Sequence, residues 1–376
     1  MSPVSLLPLP LLLGLAFLVV YLLDRCFPVH LKEGRASTID GLRGYLAFAV
    51  FLHHATIWYF FLRSGVWQDS PSRLHVHLGQ TSVSLFFMVT GYLFFGKLLE
   101  TKARPVDWLR LYVSRGLRIL PVFVLLSVVA AALIVAIKGL GLDVGNPVLL
   151  AHTARKLYVT AGVTWTLKYE WNFYFTLPVL ALVLTRRVPW PWLVVSVLYL
   201  ARESLDGLLN IYALAFVGGM AAAVSSRWGW VQVWSRTRAA SALVLSLIVG
   251  VVAGFEGAYQ PLPLAMLGLA FVQIANGTDV FGLLSARLSR VFGEITYSLY
   301  LLHGLLLFLC FRFVVGLANA AALDAVQHWL VIAGLTPVVV AVAFFSFRWI
   351  ESPAIEQTER VTAWLRSRVL RRSTAS

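Results

Sequence analysis

Residues 40–55 read DGLRGYLAFAVFLHHA, an apolar stretch that keeps an arginine near its start and two adjacent histidines near its end. Arg43 and His54 are eleven positions apart, and eleven helical steps come to within about 20° of three full turns. The two residues therefore share one helix face, whereas His53 points elsewhere. At 1.5 Å per residue, His54 lies about 16 Å deeper than Arg43, near the bilayer centre if Arg43 marks the cytoplasmic boundary.

The rest of the chain has the same apolar character. Of its 376 residues, 59% are hydrophobic and 13% are charged, whereas soluble domains carry about a quarter charged residues. Apolar runs of about 17 to 25 residues are typical of transmembrane helices, so the sequence predicts an all-α polytopic membrane bundle. The predicted spans are 5–23, 42–62, 79–96, 117–137, 170–185, 190–203, 208–224, 240–256, 261–276, 295–316 and 328–349.

The positive charge indicates the orientation of this bundle. One alternate set of connections holds 23 of the 31 lysines and arginines, the other set holds seven, and Arg312 lies within a span. The positive-inside rule assigns the richer set, and with it the C-terminus, to the cytoplasm. No basic stretch interleaved with aromatics lies outside the apolar segments, so nucleic-acid binding is not expected. The connection at about 138–169 is expected outside, and residues 354–376 are expected to form a solvated basic tail.

Two spans carry polar groups at the same depth. An imidazole in hydrocarbon is costly unless it faces the bundle interior or a wet cavity, which makes His54 a functional candidate. The alternative for one such histidine is an interhelical hydrogen bond. In EITYSLYLLHGLLL, residues 294–307, His303 lies about 13 Å inward of Glu294. We therefore expect His54 and His303 to meet near the midplane.

A third span has small and hydroxyl-bearing residues on an otherwise apolar helix. TSVSLFFMVTGYLFF, residues 81–95, contains Ser82, Ser84, Thr90 and Gly91. Such residues permit close helix packing, and they also suit a channel wall that a slender ligand can approach. The sequence leaves both interpretations open.

Charged residues suggest a binding site on each side of the membrane. Arg115 and Arg118 are spaced to share a helix face, and the planar guanidinium fork suits phosphate. For the neighbouring Arg110 we favour ordinary positive-inside charge. On the opposite side Glu170 is expected at the mouth of a helix. It lies among aromatics that fit either an interfacial belt or a sugar site, namely Trp165, Trp171, Phe173 and Tyr174.

Taken together, these residues resemble the acyltransferase family 3 proteins, bacterial membrane enzymes that acylate surface and secreted glycans. The resemblance runs over 40–353, which leaves an extra N-terminal transmembrane helix with its cytoplasmic connection (1–39) and the tail (354–376) outside it. The matching positions are Arg43 with His54, Phe86 to Gly91, Arg115 with Arg118, Trp165 to Glu170, Ser298 to His303, and Glu351 to Pro353. In two departures, Thr90 replaces the usual serine, and the first helix is absent from the common ten-helix form. That helix has no basic n-region or cleavage site, so we expect it to be retained.

The resemblance implies transfer of an acyl group, often acetyl, from cytoplasmic acyl-coenzyme A to a sugar hydroxyl reached from the extracytoplasmic side of the bacterial inner membrane. Eleven spans and a cytoplasmic C-terminus place the N-terminus in the periplasm. The acceptor would be a glycan or a lipid-linked saccharide, and membrane lipids would surround the protein. The implied roles can be given residue by residue: Arg115 and Arg118 bind the phosphates; Arg43 assists at the entrance; His54 is a general base or forms a transient acyl-histidine; His303 or Thr90 stabilises the oxyanion; and Glu170, Trp165, Trp171 and Tyr174 hold the sugar.

Other classes of protein also fit this sequence. A transporter or flippase of a lipid-linked glycan would also place polar residues at the midplane. A structural membrane subunit would leave the register of Arg43 and His54 to chance. No metal is expected, because His75 and His77 lack a nearby carboxylate or cysteine partner. Cys26 and Cys310 lie far apart and suggest neither a disulfide framework nor a zinc site.

Overall fold

The computed structural model describes residues 2–31, 37–100, 106–138, 159–184, 187–203 and 210–373, and the regular structure in these ranges is helical, without a strand. The helices are α1 Pro8–Cys26, α2 Ser37–Ser64, α3 Arg73–Glu100, α4 Trp108–Lys138, α5 Trp165–Val183, α6 Trp190–Ala201, α7 Ile211–Ser225, α8 Gly229–Ser235, α9 Arg238–Gly254, α10 Pro261–Ala275, α11 Arg287–Glu294, α12 Thr296–Leu309, α13 Leu317–Ala322, α14 Ala325–Ser346, α15 Ser352–Glu356 and α16 Thr358–Ser373. Two π-helical turns, Cys310–Val314 and Phe347–Glu351, continue α12 and α14.

The prediction of an all-α membrane bundle is confirmed, and each predicted span overlaps a helix. Within the described ranges, six helices are long and apolar enough to cross a membrane, or seven if α8 and α9, bent by 79°, form one span. The count of eleven spans is not confirmed, because α6, α7 and α10 are apolar but shorter than a full crossing, and α5 is not among the long apolar helices.

Helices α2, α3 and α12 form the centre of the bundle. More than 60% of the most apolar window of each is buried, against 17% in α1 and 28% in α4. Helices with little burial expose Leu and Val to lipid, whereas the central three bury polar side chains among apolar ones. An intramembrane polar residue must face such an interior, so these three helices position the candidate site.

Glycines let the backbones of neighbouring helices come into direct contact in the centre of the bundle. A side chain at Gly91 of α3 would overlap the Phe216 carbonyl of α7, and one at Gly219 would overlap the Met88 carbonyl of α3. Likewise, a side chain at Gly293 of α11 would overlap the Asp40 carbonyl of α2. Close packing, one of the two interpretations of the small residues in 81–95, is confirmed for Gly91.

This packing gives a stability prediction. We expect Gly219→Ala to destabilise the protein by about 1–3 kcal/mol, because the added methyl group must push α3 and α7 apart. The matched control is Gly96→Ala, where the nearest heavy atom to a new methyl is the Ala223 Cβ at 3.8 Å. Thermal unfolding in detergent would show a lower midpoint for Gly219→Ala alone, and equal midpoints would contradict the tight contact.

The C-terminal segment forms a helix that docks on one side. Helix α16 packs along α4, where Glu359 pairs with Arg110 and Arg366 pairs with Asp107, while most of its side chains up to residue 368 are exposed. Desolvation alone would raise the pKa of Asp107, but its bonds to the Arg366 side chain and the Arg110 backbone N–H hold that pKa below its ordinary value. The acidic residues among the basic ones explain the docking, which net charge alone does not reveal.

The start of α5 corrects an expectation from the sequence. Val159, Ala161 and Val163 precede the helix and are almost fully buried, and a side chain at Gly304 of α12 would overlap the backbone of residue 160. The Thr166 hydroxyl lies 3.0 Å from the Tyr300 hydroxyl. Helix α5 therefore starts inside the bundle, beside α12, and not at an outer mouth.

Candidate active site

Two histidines from different helices meet in the interior, which confirms the predicted encounter of His54 and His303. His54 Nδ1 and His303 Nε2 are 3.0 Å apart, and their ring centroids are 5.1 Å apart. His303 is completely buried, whereas His54 is partly exposed. The pair joins α2 to α12 and leaves His54 as the accessible member.

Backbone carbonyls assign the protons of both rings. His303 Nδ1 lies 3.1 Å from the Leu299 carbonyl, which only accepts, so Nδ1 carries the proton and Nε2 is an acceptor. His54 Nδ1 lies 3.0 Å from the Val50 carbonyl, so its N–H is shared between Val50 and His303 Nε2. In the neutral ring His54 Nε2 then keeps a lone pair, which suits it to take a proton or attack a carbonyl carbon.

A cavity of about 110 Å³ lies on the arginine-bearing side of this pair. Its lining includes the three arginines predicted to bind the donor, the Thr90 hydroxyl and the Glu170 carboxylate, and two tyrosine rings of α12. The residues that define this inner cavity are Arg43, Thr90, Arg115, Arg118, Glu170, Tyr174, Tyr297 and Tyr300. Side chains from α2, α3, α4, α5 and α12 thus converge on one space.

Glu170 lies in this inner cavity and not at the outer mouth predicted for it. The Thr90 hydroxyl donates to Glu170 Oε1 over 3.2 Å, and the carboxylate shares the cavity with Arg115 and Arg118. The difference follows from the buried start of α5, which carries Glu170 toward the arginine side. Because its proton is committed to Glu170, the Thr90 hydroxyl has none to offer an oxyanion in this arrangement.

A wider cavity of about 1370 Å³ opens next to the inner one, and the two share Arg115 and Arg118 in their walls. Within this vestibule Arg118 Nη2 lies 3.6 Å from Glu351 Oε1, and Ser298 donates to Glu351 Oε2 over 3.1 Å. The Arg115 guanidinium lies 4.9 Å from the centre of the Phe94 ring, and its buried Nε has no hydrogen-bond partner. An unsatisfied buried N–H is costly, so this atom is suited to bind an anion.

A comparison with known protein families decides the identity of the chain. A family model described as an acyltransferase domain, Acyl_transf_3, matches residues 37–348. The chain belongs to the acyltransferase 3 family. In the same comparisons no curated protein and no solved structure matches it.

The acyltransferase fold brings some of the predicted site residues together and leaves others apart. Arg43, Arg115 and Arg118 share the inner cavity, but His54 and His303 are not in its lining. Tyr300 connects the two parts, since it lines the cavity and its ring centroid is 6.2 Å from that of His303. The roles assigned to these residues stay predictions.

The aromatic residues predicted to hold a sugar also separate. Tyr174 lines the inner cavity, whereas Trp165 and Trp171 do not. Trp165 packs on Phe87 and other aromatic rings, and Trp171 stacks on Phe175. The described contacts of both tryptophans are with neighbouring aromatic rings, as in ordinary helix packing. Their contribution to acceptor binding in this acyltransferase stays a prediction.

Two further residues of the site carry no prediction from the sequence. Tyr297 and Tyr300 line the inner cavity, and both hydroxyls are held by backbone carbonyls, Tyr297 by Ile119 at 2.7 Å and Tyr300 by Val163 at 3.2 Å. Their spacing in the sequence could have indicated this position, because Tyr297, Tyr300 and His303 are each three residues apart and residues three apart share a helix face. Aromatic residues are common in membrane spans, which hides such a signal.

Proposed function

We propose that this acyltransferase moves an acyl group, most simply acetyl, from cytoplasmic acyl-coenzyme A to a hydroxyl of a cell-surface or exported glycan. One observation carries the proposal: Arg115 and Arg118 lie in the shared wall of a large vestibule and a narrow inner cavity. Tyr300 lines that cavity and also lies against His303, so it links the cavity to the histidine pair. The vestibule, the two arginines, the inner cavity and His54 thus follow one another in the order in which a long acyl-coenzyme A molecule would contact them.

The donor site is supported by the chemistry of the shared wall. Arginine binds phosphate through paired, charge-assisted N–H donors, and Arg115 has an unsatisfied Nε with a buried location. Three of the acidic residues that line the vestibule, Glu359, Glu351 and Asp107, each pair with an arginine. The other three are Glu100, Glu294 and Glu356. In this proposal the nucleotide end lies in the vestibule, and the thin pantetheine arm passes Arg43 into the inner cavity.

The chemical step places His54 Nε2 beside the acceptor hydroxyl. That nitrogen removes the hydroxyl proton while the oxygen attacks the thioester carbonyl carbon, the C–S bond breaks, and the thiolate takes the proton from the imidazolium. The products are an ester and the free thiol. In the variant mechanism Nε2 attacks the thioester carbonyl carbon and the C–S bond breaks to release the thiolate. The acceptor hydroxyl then attacks the acyl-histidine, the acyl C–N bond breaks, and the hydroxyl proton passes to the thiolate.

His303 has a positioning role in this scheme. Its Nε2 accepts from His54 Nδ1, which holds the His54 ring and becomes a stronger hydrogen bond as His54 gains positive charge. In this arrangement His303 offers no N–H to an oxyanion, because its own Nδ1–H is bound to Leu299. The acyl end must pass Tyr300 to reach His54, so a small rotation of that ring is part of the proposal.

Sealed inside-out membrane vesicles that contain the protein test both donor and sidedness. We expect acetyl-coenzyme A added outside such vesicles, at the face that was cytoplasmic, to be consumed and its acetyl group to appear as glycan ester in the lumen. Right-side-out vesicles should not consume it unless they are permeabilised. Glycan export without thioester consumption would overturn the proposal in favour of a transporter.

A further inference from the structure

The loop between α2 and α3 folds back over the candidate base. Gly65 has a positive φ of 70°, which glycine tolerates, and its N–H closes α2 on the Phe61 carbonyl at 2.8 Å. The chain then turns inward, so that the Trp67 ring stacks on His54 with centroids 6.2 Å apart and 24° between the planes. Trp58 lies edge-on to Trp67 at 5.8 Å and supports it.

A carboxylate two residues further along the same loop is held by side chains of α2 and α3. Asp69 Oδ2 accepts from Gln80 Nε2 over 3.2 Å, and Asp69 Oδ1 lies 3.7 Å from His53 Nε2. Gln80 is fixed in turn, because its Oε1 accepts the Ala258 N–H at 2.9 Å. The Asp69 side chain is still 49% exposed, and a carboxylate has about four lone-pair positions, so it can accept further hydrogen bonds.

From this arrangement we propose that Trp67 and Asp69 form the acceptor subsite, and that its ligand is a neutral polyhydroxylated sugar ring. The inference rests on the proposed function. The apolar C–H face of such a ring packs on the indole, and its outward hydroxyls donate to Asp69. Neither residue lines the inner cavity or the vestibule. Donor and acceptor therefore approach His54 from different sides, with Glu170 on the donor side.

The test measures transfer from acetyl-coenzyme A to alkali-deacylated surface glycan from the producing cells, with full-length protein in detergent. We expect Trp67→Ala to raise the apparent KM for glycan at least about tenfold, with the KM for acetyl-coenzyme A unchanged. Trp67→Phe should restore most of the affinity, because it keeps an aromatic face. Trp230→Ala is the matched control, since that tryptophan is exposed on α8, away from both cavities.

Further arms separate the possible failures. If Trp165→Ala raises the glycan KM and Trp67→Ala does not, the proposed subsite is wrong and the aromatic residues of α5 bind the acceptor. Asp69→Asn should raise the glycan KM in a manner that salt does not change, whereas a salt-dependent effect would indicate a cationic acceptor and overturn the neutral class. Protection from thermal unfolding by coenzyme A reports donor binding separately. If that protection persists while Trp67→Ala leaves the glycan KM unchanged, the subsite fails and the proposed function stands.

Discussion

Replacement of His54 by alanine is expected to lower acyl transfer by about 10²–10⁴-fold, the usual contribution of a general base. In the described structure His54 is the partly exposed histidine of the pair, and its unprotonated Nε2 lies outside the hydrogen bond that joins the two rings. His303 is buried with both ring nitrogens engaged, so it does not take over the base. The measurement is ester formation on glycan with the protein at normal level in the membrane.

His77→Gln is the matched control for the loss of His54. His77 is also buried, with Nε2 at 2.9 Å from the Phe255 carbonyl and Nδ1 at 3.1 Å from the Thr81 hydroxyl, and it lies outside both cavities. We expect His77→Gln to retain transfer, and His54→Ala to keep its thermal protection by coenzyme A. Transfer that survives in His54→Ala would exclude both the general-base and the acyl-histidine mechanism.

The two mechanisms themselves differ in one observable. An acyl-histidine would add the mass of the acyl group to the protein when acetyl-coenzyme A is supplied without glycan. A general base leaves the protein mass unchanged. The assigned tautomer leaves the Nε2 lone pair available for either mechanism. The mass of the intact protein therefore distinguishes general-base catalysis from an acyl-histidine intermediate.

The encounter of His54 with His303 was predictable because depth along a helix is arithmetic. Each histidine lies a fixed number of residues from a charged group at the cytoplasmic end, and the rise per residue is constant. The same reasoning placed Arg115 and Arg118 on one face. Regular helices thus let the sequence indicate which polar residues lie at the same depth in the membrane, although it does not show which helices are neighbours.

The position of Glu170 could not be obtained in this way. Its helix starts inside the bundle, since residues 159–163 fold inward against α12, and no periodicity in the sequence marks that return. The same limit applies to Trp67, whose place over His54 depends on a glycine turn. It also applies to Asp69, which is held by Gln80, because Gln80 is itself fixed by Ala258, 178 positions further along the chain than Gln80. Long-range contacts of this kind decide which ligand each residue meets.

Arg115→Ala is expected to raise the KM for acetyl-coenzyme A by about 10- to 100-fold, which corresponds to the 1.5–3 kcal/mol of a hydrogen bond to a charged group. The turnover rate at saturating donor should change much less, because the phosphates lie far from the reacting carbon. Arg115 is a better choice than Arg118, whose removal would leave Glu351 buried without its cation and threaten folding.

Two companion variants sharpen this experiment. Arg115→Lys keeps the charge but loses the planar fork, so an intermediate KM is expected if paired donors matter. Arg238→Ala removes one positive charge from an exposed position that lines neither cavity, and it should leave the donor KM unchanged. Equal effects of Arg115→Ala and Arg238→Ala would mean that the donor responds to the general positive potential of this face. A rise in the glycan KM alone would place Arg115 in the acceptor site, and would reverse the order in which the two cavities are used.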